Sequence, residues 1–90
     1  LDPFNRLEAL IETGGVDAVD QARALLNSFA GSTEIGTQAV DEFLIDMMTL
    51  SFLAESGRES LQISVRRLAR LRLSRVKLLL GVTSRQIRQF

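Results

Sequence analysis

The sequence predicts an all-α fold: a compact bundle of four helices plus a short C-terminal helix, with dimerisation as one means of completing its core. Three observations point there. Apolar residues recur at three- and four-residue spacing over four stretches separated by glycine, which is the period of an amphipathic helix. The one proline, Pro3, follows Asp2 at a position where a helix can begin and interrupts no later element. The 90 residues, 46% hydrophobic and 24% charged, have the length and balance of one folded domain.

Asp2 as cap and Pro3 as first helical residue start the first helix, because proline presets φ where no amide donor is needed. Phe4, Leu7, Leu10 and Ile11 form its apolar face, and Gly14–Gly15 stops it. An element of about three turns is stable only when packed against others. The second helix is read from Val16 to Phe29, with Val19, Ala22, Leu25, Leu26 and Phe29 on one face. Asp17 and Asp20 suit the positive end of its dipole, and Gly31 is its C-terminal glycine.

Ser32, Thr33 or Thr37 can cap the third helix. Gly36 weakens the first turn, so the secure helix is placed from about Thr37 to Ser56, with Gly57 ending it. Val40, Phe43, Leu44, Met47, Leu50 and Ala54 share a face that Ile45, Met48 and Phe52 extend. The resulting arc of roughly 220° exceeds the stripe of a helix with one buried side. Glu42, Asp46 and Thr49 leave only a narrow polar strip. Such a helix is either the centre of a bundle or half of an oligomer interface, and Phe43, Ile45, Met48 and Phe52 are the candidate interface residues.

Residues 58–80 contain no Gly, Pro or Asn and read as one long helix. Its stripe is Leu61, Val65, Leu68, Ala69, Leu73, Val76, Leu79 and Leu80. Alternation over 61–65 and 70–73 is a strand signature, but a hairpin would need its turn within 66–70, where no turn residue occurs. Helix is the preferred reading. Gly81 is taken to end it, and Thr83 or Ser84 to cap a last short helix through Phe90.

The formal net charge is zero, but the charges are segregated. Residues 1–59 hold all eleven acids and three arginines, 3 − 11 = −8, whereas residues 60–90 hold eight bases and no acid, +8. Six of those bases fall between Arg66 and Lys77, a positive field that suits phosphate or an acidic protein surface. Arg66, Arg67, Arg70 and Lys77 are candidate contacts to a partner or to nucleic acid, as are Arg85, Gln86, Arg88 and Gln89 further on. The competing reading is that this helix faces the acidic half of its own fold. Arg72 projects into the apolar stripe, where a guanidinium must be paired or reach out to water. Asp46 is its candidate partner in an internal ion pair.

The segment from Val76 to Phe90 resembles the bihelical core of helix-turn-helix DNA-binding domains, with Val76 and Leu80 as anchors and Gly81 at the turn. It departs from that pattern at Lys77, where a small residue usually packs under the turn. The resemblance implies a recognition helix from Thr83 or Ser84 that presents Arg85, Gln86, Arg88 and Gln89 to base edges.

Composition narrows the functional classes. Without Cys there is no thiolate ligand, disulfide or cysteine nucleophile, and without His the usual proton shuttle near neutral pH is missing. The pairs Asp41–Glu42, Asp17–Asp20 and Glu55–Glu59 read as solvated helix faces, and no enzyme activity, metal or cofactor is expected. The longest apolar-rich run, Phe43 to Ala54, includes Asp46 and is too short for a membrane span. The N-terminus lacks a secretory pattern, so a soluble, cytoplasmic setting is expected over a secreted one. The chain starts on Leu1, which suggests a single domain excised from a longer protein. The leading expectation is a non-enzymatic interaction or oligomerisation domain that binds a protein partner and itself, as a homodimer or larger. The alternative is DNA binding through residues 76–90.

Overall fold

The computed structural model describes the backbone of residues 3–29 and 34–88 and the side chains of residues 3–28 and 38–80. Among these residues there are four helices and no strand: α1 Pro3–Thr13, α2 Val16–Phe29, α3 Glu34–Glu55 and α4 Glu59–Arg88. They form a closed ring in which α1 packs on α2 and α4, and α3 packs on α2 and, most extensively, on α4. One core runs through it, from Leu7 and Ile11 of α1 through Ala22 and Leu26 of α2 and Phe43 and Met47 of α3 to Ala69, Leu73 and Val76 of α4.

Glycines make the two sharp connections. Gly14 and Gly15 have φ of 65° and 90°, the left-handed region that costs other residues about 1–2 kcal/mol. This lets a two-residue link end α1 and, through the Gly15 carbonyl accepting from Val19 at 3.3 Å, begin α2. At the end of α3, Gly57 has φ of 68°. The Arg58 amide donates back to the Leu53 carbonyl at 3.1 Å and the Gly57 amide to Ala54 at 3.3 Å. This is the Schellman pattern, which satisfies carbonyls the helix end would otherwise leave open. The tight turn folds α4 back antiparallel along α3. The proposed caps Asp2, Ser32 and Thr33, and the glycine at 31, lie outside the described residues.

Two boundaries differ from the sequence reading. α3 begins at Glu34 and runs through Gly36, before the expected start at Thr37. α4 runs unbroken through Gly81 to Arg88, so there is no separate fifth helix among the described residues. The reason is the same at both glycines: one in a helix interior costs only about 1 kcal/mol relative to alanine. A helix already held by neighbouring turns continues across it. Gly81→Ala is therefore expected to raise stability by about 0.5–1 kcal/mol, read as a higher midpoint in thermal unfolding followed by circular dichroism. A lower midpoint would mean that residue 81 occupies a left-handed turn.

The stripe on α4 is also narrower than the wheel suggested. Ala69, Leu73 and Val76 are buried, but Leu61 and Leu68 are exposed, as is Ala54 on α3. The 30-residue α4 is about 45 Å long at 1.5 Å per residue, and the 11-residue α1 about 16 Å. So α1 cannot flank α4 along its whole length, and leucines at the edge of the stripe stay in water. Ser51 and Leu53, outside the expected face of α3, are buried.

Candidate protein-docking face

α3 is apolar on two sides, one turned into the core and one left exposed. Phe43, Met47 and Leu50 point into the core at no more than 2% exposure. Phe43 was expected as an interface residue, and burial removes it from that role: no partner can reach it without unfolding the bundle. Ile45, Met48 and Phe52 point the other way, at 57%, 53% and 66% exposure. Their spacing of three and four residues lines them along one side of the helix. Asp41 and Glu55, both exposed, continue the same line at its two ends.

Part of this stripe borders a groove of about 340 Å³ between α2 and α3. Val16, Val19, Met48 and Phe52 supply its apolar wall, and Asp20, Arg23 and Glu55 its polar rim. Val16 is 58% exposed and was not singled out from the sequence. Its exposure follows from standing at the first position of α2, directly after the glycine link, where its inward neighbours are Ala18 and Val19.

The basic residues of α4 divide into groups. Arg70 forms an ion pair with Glu12 of α1. Arg75 Nη1 lies 3.4 Å from Glu42 Oε2 of α3. Lys77 Nζ stands 5.8 Å from the centre of the Phe4 ring, a cation–π distance. Arg66 is half-buried, and its Nη2 donates to Gln62 Oε1 at 3.5 Å. Arg67 is exposed and makes no ion pair among the described residues. Of the candidate contacts, Arg70 and Lys77 thus meet residues of α1 while staying exposed, and Arg66 meets Gln62 of its own helix. Arg85, Gln86 and Arg88 belong to α4, with side chains outside the description, and Gln89 lies outside it altogether. Because α4 is continuous through Gly81, the turn required by the helix-turn-helix resemblance is absent.

Arg72 and Asp46 come together. Arg72 Nη1 is 3.3 Å from Asp46 Oδ1 and donates to the Glu42 carbonyl, also at 3.3 Å. Side-chain exposure is 6% for Asp46 and 33% for Arg72, so the carboxylate is enclosed while the guanidinium keeps access to water. Asp46 Oδ2 has no hydrogen-bond partner among the described residues. Burial pushes the Asp46 carboxyl above its ordinary value; Arg72 pulls it down and the nearby Glu42 adds to the rise.

No family model, curated protein or solved structure matches the chain. Among the described residues, no helix is long and apolar enough to cross a membrane.

Proposed function

We propose that the chain is a non-enzymatic helical protein-interaction domain whose working surface is the outer face of α3. The observation that carries this reading is the line Ile45, Met48, Phe52, each more than half exposed on a helix whose other face already fills a core. Single exposed apolar residues are ordinary, but a contiguous row beside a groove marks a binding surface. A Met and a Phe on such a surface adapt to the shape of a partner side chain. The groove rim carries two carboxylates and one arginine, and the chain has no His or Cys to serve as a base near neutrality or as a nucleophile. That composition supports docking over chemistry.

The test is a titration of the isotope-labelled domain with three synthetic 20-residue amphipathic helices, leucine on one face and lysine, glutamate or glutamine on the other. Methyl shifts at Ile45 and Met48 with at least one peptide are expected, and the basic peptide should bind best because Asp41 and Glu55 end the stripe. Unchanged α3 methyls with all three at 1 mM would overturn the reading.

A further inference from the structure

We infer that the occupant of the α3 face is a second copy of this chain, which presents the leucine–arginine face of its α4 and receives the same contact in return across a two-fold axis. The inference rests on α3 being a docking face and names its partner.

α4 carries a second apolar line besides its core stripe. Leu71 and Leu78 are 69% and 68% exposed, with Leu68 exposed nearby and Ser64 and Arg75 on the same line. Positions 64, 68, 71, 75 and 78 alternate four and three apart, as do 41, 45, 48, 52 and 55 on α3. That spacing gives knobs-into-holes packing between two helices. Each line covers about 21 Å at 1.5 Å per residue, so the two match in length.

Charge selects which line meets which. The α3 line ends in carboxylates at Asp41 and Glu55, while the α4 line contains Arg75 and is flanked by Arg67. Two α4 lines face to face would bring guanidinium against guanidinium. Two antiparallel α3 lines would bring Asp41 against Glu55. Only α3 against α4 sets opposite signs together and still covers the apolar centres. Like-charge clashes reject the wrong pairings as effectively as the right contact attracts.

The fold sets both lines beside one seam. Glu42 meets Arg75, Asp46 meets Arg72, and the Leu53 carbonyl accepts from Gln62 Nε2 at 3.3 Å. Residue numbers thus rise on one helix as they fall on the other, and α3 and α4 are antiparallel neighbours. Ile45 lies about 60° round α3 from Glu42, and Leu71 about 40° round α4 from Arg75, each turned away from the core. A two-fold axis parallel to this hairpin, between its helices, lays α3 on the second copy's α4 and α4 on its α3. One operation therefore fills both lines. The patch is about 20 Å long and two helix widths across, about 400 Å² in flat projection, against about 800 Å² of accessible surface per partner in a standard interface. This places the dimer at the small, weak end of specific interfaces.

Sedimentation equilibrium on the wild type, Ile45→Lys, Leu71→Glu and an equimolar mixture of the two variants tests the arrangement, since these positions stand at one level across the two-fold axis. Both substituted side chains are more than half exposed, and circular dichroism checks that the variants fold; Met48→Lys with Leu68→Glu is the second pair if either does not. A wild-type dimer is expected, weakened about tenfold or more in each variant alone. The mixture should regain a heterodimer, because one of its contacts is wild type and the other sets lysine against glutamate. Variants that dimerise like the wild type, a mixture no tighter than its components, a larger closed or open assembly, or a wild type monomeric at 1 mM would each overturn the inference. If the wild type is monomeric while the basic peptide still shifts the α3 methyls, the second copy is the wrong partner and the docking face stands. If both fail, so does the docking face.

Discussion

Replacing Phe43 with alanine is expected to lower the unfolding free energy by about 3–5 kcal/mol, the range for removing a buried phenyl ring and leaving a cavity. Phe43 is fully buried, so removing the ring leaves a cavity into which the surrounding core relaxes only in part. For a domain of 90 residues, total stability is about 5–13 kcal/mol at 0.05–0.15 kcal/mol per residue, so this one change removes a large share of it. Phe52→Ala, on the same helix, is expected to alter the monomer's stability by no more than about 0.5 kcal/mol. Urea unfolding of both variants at high dilution separates the two roles. Equal losses would mean that the faces of α3 have been assigned wrongly.

Arg72→Met is expected to cost about 2–4 kcal/mol at neutral pH, because it strands the Asp46 carboxylate. Breaking a buried pair from one side costs about 3–5 kcal/mol, and the partial exposure of Arg72 places this case towards the lower end. The cost also depends on pH. Asp46 already holds its proton more tightly in the folded chain than its ordinary 3.8, through burial first, with Arg72 opposing and Glu42 adding. Removing Arg72 takes away the positive charge that favours the ionised carboxylate. A carboxyl with a raised folded pKa binds more protons folded than unfolded, so its contribution to stability is greatest below about pH 4 and declines as pH rises through the folded pKa. The penalty of Arg72→Met should therefore shrink between pH 7 and pH 4.5 in denaturant titrations. Adding Asp46→Leu to Arg72→Met should recover most of the loss at pH 7, since an apolar pair of similar volume replaces a buried ion pair at little or no cost. A penalty of the same size at both pH values would show that Asp46 does not depend on Arg72.

The pairing of Asp46 with Arg72 was legible because each is a charge set among apolar positions, and burying either one demands a counter-charge. The ends of the first and third helices were legible for a similar local reason: Gly14, Gly15 and Gly57 stand where the apolar period breaks. Gly81 carries the same letter with the opposite outcome. Leu78, Leu79 and Leu80 lead into it without a break, and a glycine's cost inside a helix is too small to decide whether the helix stops. The division of α3 between core face and exposed face was only half visible. A wheel shows that the apolar arc is too wide for one neighbour, but which edge stays open depends on where α2 and α4 land. For that reason Phe43 and Ile45 could not be separated by spacing alone. The alternation Arg70-Leu71-Arg72-Leu73, which suggested a strand, instead places Leu71 outside and Leu73 in the core of one helix. The link between Glu12 and Arg70 depends on α4 returning to α1, a contact between distant segments that no local pattern encodes.

The segregated charge takes on a definite meaning in this fold. Arg70, Arg72 and Arg75 each meet an acid of α1 or α3, so charges of opposite sign from the two segments of the sequence meet across the helices. Arg67 and the outer leucines of α4 remain on the surface beside the α3 stripe.

An isotope-filtered NOE experiment on an equimolar mixture of labelled and unlabelled chain tests the dimer arrangement most directly. It records only contacts between protons of different copies. Cross-peaks from the Ile45 and Met48 methyls of one copy to the Leu71 and Leu68 methyls of the other are expected in a 1 mM sample. Intermolecular cross-peaks confined to α1 and α2, or none at that concentration, would contradict it.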